Sequence, residues 1–144
     1  MDIHPLVIHY PIAFLTTYTV FELMRFKKLL DSPHWLPIKG TLLVVGELGA
    51  IATVVTAYMS ANLAGDSPLV TMYKIFILIT ATIFGIISLA YVRWSKMLLP
   101  VIIIPLAIIG LFFIVVAGGL FGATVYGTHF DPFLAPIFKL LNVY

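Results

Sequence analysis

The residues best suited to chemistry in this 144-residue chain are three histidines, His4, His9 and His129. Imidazole is a common ligand of metals and of haem iron, and its neutral form carries no charge-burial penalty at a membrane boundary. His4 and His9 flank the start of the first apolar run and His129 follows the last, so the topology derived below gathers all three at one membrane surface. Asp2, Asp66 and Asp131 fall on that side too, and only His34 falls on the other. Pro5 suits the first turn of a helix, which places His4 near the cap. Five residues of helix put His9 about 7 Å deeper and roughly 140° around from His4. One iron is therefore not expected to be gripped by both. His9 paired with His129 or another cross-bundle group is the expected arrangement, with Asp131 or Asp66 orienting a ring through its second nitrogen. Pro11 removes the bond to the Val7 carbonyl and is expected to kink the helix near His9. Ala13 and Thr16 below His9, and Gly118, Gly119 and Gly122 at the same level of the last run, leave room for a flat ring or for another helix. The plainer alternative stays open, since an interfacial histidine can simply hydrogen-bond a carbonyl or water.

Glu47 is the other outlier. It lies about 12 Å into the second run, counting from Lys39, where a carboxylate is costly unless protonated or paired. It is expected to face the bundle interior or a subunit contact, either as a proton carrier or as a packing group bonded to a neighbour such as Thr53 or Tyr58. Glu22 lies one turn from Arg25 and close to Lys28, so a snorkelling surface ion pair is expected there. Tyr10, Tyr73 and Tyr126 collect at the histidine side and read as belt anchors. With no cysteine in the chain, disulfides, thiolate metal sites, iron–sulfur clusters and covalent c-type haem are excluded. No zincin, nucleophile-elbow, phosphate-loop or dinucleotide motif is present.

The elements that must position these groups follow from composition. The chain is 62% hydrophobic and 10% charged, and its mean hydropathy is +1.13. Soluble domains carry about 25% charged residues, so this sequence cannot cover a water-soluble globule. Its net charge of +2 gives no case for nucleic acid. Four apolar stretches, 6–24, 39–61, 71–92 and 98–122, approach or exceed the roughly 20 residues that a membrane-crossing helix needs. Continuous runs without period-2 alternation exclude barrel strands. The first run lacks a basic leader and a cleavage site, and reads as a retained helix. The expected fold is an all-α, single-domain bundle of four transmembrane helices. Arg25, Lys27, Lys28, Lys39, Arg93 and Lys96 share one side, which the positive-inside rule assigns to the cytoplasm, leaving both termini outside. Trp35 and Trp94 are expected at the cytoplasmic interface. Gly46, Gly49, Ala50, Thr53 and Ala57 form a small-residue line that reads as helix packing. The apolar segment 132–142 is too short to span and reads as interfacial.

The opening residues His4-Pro5-Leu6-Val7-Ile8-His9-Tyr10-Pro11-Ile12-Ala13 resemble the His-Pro-x-x-Val-His-Phe-Pro-Ile-Ala signature of a widespread family of small prokaryotic four-helix membrane proteins without assigned activity. Gly118-Gly119 and the run from Gly122 to His129 are similar to the Gly-Gly-x-Leu-Val-Tyr ending of that family's last helix. The resemblance implies four helices and importance for His4 and His9. It also implies a prokaryotic inner membrane. Many members have a further histidine near the start of the third helix. Here Thr71-Met72-Tyr73-Lys74 stands in its place, so that, if the family holds haem through that histidine, this chain has either lost a haem or uses Met72 instead.

Two functions fit this sequence. One is a membrane redox subunit that binds b-type haem near the outer surface and passes electrons between a periplasmic carrier and quinone or a partner complex. The other is an accessory subunit without its own chemistry, packed among other membrane subunits. Proton-coupled transport through Glu47 ranks third, for want of a second inner carboxylate and of broken helices.

Overall fold

A computed structural model describes residues 4–60, 65, 67–94, 100–126 and 135–142. Among the described residues the chain is all helical: α1 His4–Leu23, α2 Lys27–Leu30, α3 Trp35–Met59, α4 Pro68–Trp94, α5 Pro100–Tyr126 and α6 Ala135–Leu140. Four of them, α1, α3, α4 and α5, are long and apolar enough to cross a membrane. They form a closed ring in chain order, α1 against α3, α3 against α4, α4 against α5 and α5 back on α1. Short connections between antiparallel neighbours favour this up-down-up-down order.

Local chemistry sets the boundaries. Ser67 Oγ accepts the Val70 amide at 3.3 Å and so caps α4. Pro68 and Pro100 open α4 and α5 at the position where a missing amide proton matters least. Phe26 and Ser60 adopt extended backbone where α2 starts and α3 stops. The second spanning helix begins at Trp35, ahead of the expected residue 39. The helix starts one turn before Lys39, which is buried with a partner inside it. The last helix likewise continues to Tyr126, past the expected residue 122.

The exterior carries the large apolar side chains. Leu48, Val55, Met59, Leu89, Val92 and Val101 are all exposed, which suits lipid and not water. Polar groups sit inside. The buried stripe of α3 reads Lys39, Leu43, Gly46, Glu47, Ala50, Thr53 and Ala57, a helical repeat of three and four residues.

Glycine makes the close approaches possible. A Cβ on Gly46 would lie 2.6 Å from Leu15 Cδ2, and one on Gly49 3.1 Å from Pro11 Cδ. The small-residue line of α3 thus packs against α1, inside the chain. It also makes room for the Pro11 ring, and α1 runs unbroken through that proline. α6 docks on the His4 end of the bundle through Phe138, which is fully buried in a cluster with Ile8, Ala57, Tyr73 and Leu120.

Candidate functional site

The helical rotation between His4 and His9 separates them as their spacing requires. His4 turns inward and is 1% exposed. Its Nδ1 is 2.8 Å from Thr56 Oγ1 and its Nε2 is 2.6 Å from Tyr73 Oη. The Thr56 hydroxyl donates its proton to the backbone of its own helix, at Ala52 O, so Thr56 accepts from His4 Nδ1–H. In a neutral ring Nε2 then accepts from Tyr73. Phe121 and Tyr73 close on the imidazole edge-on, with ring centroids 5.2 and 5.8 Å away. Both nitrogens of His4 are engaged, and ligation by His4 would have to break one of these bonds. Tyr73, expected as a belt anchor, is instead fully buried and ties α4 to α1.

His9 faces outward over a groove between α1 and α5. Pro5, Ile8, His9, Ile12, Gly118, Phe121, Gly122, Val125 and Tyr126 line about 260 Å³ of space. Gly118 and Gly122 create it, because neither projects a side chain from α5. His9 Nδ1 lies 2.6 Å from the Pro5 carbonyl oxygen. A carbonyl only accepts, so the proton is on Nδ1 and the neutral ring carries its lone pair on Nε2. Tyr126 ends α5 at the rim of this groove. His129, Asp131 and Asp66 lie outside the described residues. No group of three His, Asp or Glu side chains able to hold a metal occurs among the described residues. Met72, the substitute ligand, packs against the apolar cluster at the His4 end.

At the opposite end a second polar knot forms. Lys39 Nζ donates to Glu22 Oε2 at 2.7 Å, and Tyr91 Oη donates to the same oxygen at 2.8 Å. The Lys39 and Glu22 side chains are only 9% and 5% exposed. This replaces the expected surface pair with Arg25 and Lys28. Glu22 falls on the buried stripe His4, Ile8, Pro11, Leu15, Tyr18, Glu22, while α1 has ended before Arg25 is reached. The sequence held one signal for this pair of knots. Tyr73 and Tyr91 are separated by five helical turns and therefore share a face of α4. Trp35, at the start of α3, is buried and stacks on Phe21, with ring centroids 5.1 Å apart.

Glu47 faces the interior, as its charge demands, and is 8% exposed. Its Oε1 would lie 3.2 Å from a Cβ on Gly85, so the absent side chain of Gly85 is what admits the carboxyl group between α3 and α4. Neither expected partner reaches it. Thr53 donates to Gly49 O, and Tyr58 lies on the exterior beneath Lys74 Nζ, 5.3 Å from its ring centroid. Oε2 has no hydrogen-bond partner among the described residues.

No family model, curated protein or solved structure matches this chain, so these comparisons do not bear on the resemblance carried by its two end motifs.

Proposed function

We propose that this chain is a small membrane redox subunit whose α1–α5 groove would receive a b-type haem, with His9 as a ligand of its iron. The observation that carries the reading is the bond from His9 Nδ1–H to the Pro5 carbonyl. Histidines that ligate metals generally hold their second nitrogen this way, which sets the tautomer and makes the free nitrogen a better donor. The groove suits a flat macrocycle in other respects. Its walls Ile8, Ile12, Phe121 and Val125 are apolar, and Gly118 and Gly122 leave one side without side chains. At about 260 Å³ it falls below the roughly 300–1,000 Å³ of enclosed ligand sites. A haem held there would extend beyond the groove, toward lipid, a quinone or a partner subunit.

A bound haem supplies one-electron chemistry. The chain's own residues place it. The His4–Tyr73–Thr56 knot pins the start of α1 to α3 and α4, and so holds Pro5 and His9 at a fixed height. In this reading His129, three residues beyond Tyr126, would supply a second nitrogen ligand, and Asp131 or Asp66 would orient it. With the basic end in the cytoplasm, the groove opens at the outer face of a prokaryotic inner membrane, where a periplasmic carrier can exchange electrons.

The alternative, an accessory subunit without a cofactor, draws its support from small-residue stripes that would dock partners. The glycines of α3 are occupied within the chain, against Leu15 and Pro11, which favours the redox reading. The test is a reduced-minus-oxidised visible spectrum of the purified chain, with haem quantified as its pyridine complex. A sharp α-band that disappears in His9→Ala supports the proposal. A flat spectrum from folded protein made with ample haem overturns it and leaves the accessory role.

A further inference from the structure

Four buried side-chain polar atoms have no hydrogen-bond partner among the described residues: Tyr18 Oη, Trp35 Nε1, Glu47 Oε2 and Ser88 Oγ. Buried polar atoms are nearly always satisfied, and where protein offers nothing, ordered water usually does. Three of the four share one region. Tyr18 is one turn along α1 from Glu22 and packs edge-on against the Tyr91 ring, with centroids 5.9 Å apart. Ser88 lies one turn of α4 from Tyr91 and one turn from Gly85, the residue that Glu47 abuts. Tyr18 thus borders the Glu22–Lys39–Tyr91 knot, and Ser88 stands on α4 between that knot and Glu47.

Beyond Glu47 the interior stays intermittently polar. A cavity of about 20 Å³ lies among all four spanning helices, walled by Ile8, Ala50, Ile77 and Ile114 together with the two threonines Thr53 and Thr80. That is room for about one water. Past it come Thr56, Tyr73 and His4. The column therefore runs from a buried ion pair at the basic end to a buried imidazole at the other. Glu47 stands twelve residues from each end of α3, about 18 Å from either terminus. As an acid its hydroxyl lacks an acceptor and as a carboxylate it lacks a cation. Oε2 is completed in neither form by the described residues, and an ionisable group so placed inside a membrane is a candidate proton carrier.

We propose that the bundle interior conducts protons along this column, with Glu47 as the mid-membrane carrier. A proton arriving from the basic end over water held by Tyr18 and Ser88 adds to a Glu47 carboxylate oxygen. The same carboxyl group releases a proton toward the Thr53–Thr80 cavity, and His4 hands it out at the far end. Each group ends as it began, so only the membrane potential or a pH gradient is consumed. Along the helix axes most steps are about 4–6 Å, within reach of one bridging water. Glu47 to Thr53 is the longest of those around Glu47, at about 9 Å, and the barrier falls there. This inference is independent of any ligand at His9.

The test reconstitutes the full chain in vesicles with a trapped pH-sensitive dye and imposes a potassium diffusion potential with valinomycin. Wild type is expected to acidify or alkalinise the lumen well above protein-free vesicles. Glu47→Gln keeps the shape but cannot exchange a proton, and is expected to slow the flux about a hundredfold. Ser88→Ala, a milder change that removes one water partner, is expected to slow it severalfold. Wild-type flux equal to that of protein-free vesicles overturns the proposal. So does wild-type flux in Glu47→Gln protein with native circular dichroism, and should that variant not fold, unchanged flux in Ser88→Ala does the same.

Discussion

Replacing Lys39 by methionine is expected to be among the most damaging single changes in the bundle. Lys39 and Glu22 are paired at 2.7 Å, with side chains 9% and 5% exposed. Lys39→Met keeps the volume of the stem but leaves a buried carboxylate that retains Tyr91 Oη as a donor, at 2.8 Å. Breaking one side of a buried pair costs about 3–5 kcal/mol. The surviving tyrosine bond puts the expected loss near the lower end, about 3 kcal/mol, or roughly a hundredfold in the folded-to-unfolded ratio. Glu22→Gln is expected to cost less, about 1–2 kcal/mol. The amide still accepts from Tyr91. Lys39 also stands one turn inside α3, about 6 Å from its start, so its long stem can carry the ammonium out to water. The double variant removes both charges and is expected to be more stable than Lys39→Met alone. Reversible unfolding in mixed micelles of rising dodecyl sulfate fraction, followed by far-ultraviolet circular dichroism, gives the three values. A Lys39→Met variant within about 0.5 kcal/mol of wild type, the range of an ordinary surface change, would refute the reasoning.

The two histidines should separate cleanly. His4→Ala orphans Tyr73 Oη and opens the start of α1, and is expected to lower stability by about 2–4 kcal/mol in the same titration, whereas His9→Ala should leave stability near wild type while removing any haem absorbance. Gly46→Ala forces a methyl group to 2.6 Å from Leu15 Cδ2 and is expected to cost about 1–3 kcal/mol. Gly118→Ala brings its Cβ only to 3.4 Å from Ile12 Cδ1; folding should persist, and ligand occupancy of the His9 groove should fall in the haem assay. Phe138→Ala empties a fully buried site and is expected to cost about 3 kcal/mol, read as earlier proteolysis of the C-terminal segment than of the four long helices.

Hydropathy and length alone determined that four helices long enough to cross a membrane are present, because lipid permits little else for continuous apolar runs of about 20 residues. Local spacing also identified the packing face of α3. Glycine and alanine every three or four residues mark a close helix contact, and Glu47 beside them was expected at the bundle interior or a subunit contact, of which the tertiary structure shows the first. Three- and four-residue periodicity likewise foretold that His4 and His9 point apart. What each polar group meets was decided by tertiary structure. His4 finds Tyr73 and Glu22 finds Tyr91, each across 69 residues. That constant offset exists only because α1 and α4 run in the same direction with their ends level. Neither helix encodes that register by itself. Lys39 and Tyr73 were misjudged for the same reason. On one helix an ammonium or a phenol belongs at the membrane edge, and only an acceptor presented by another helix makes it cheaper to bury.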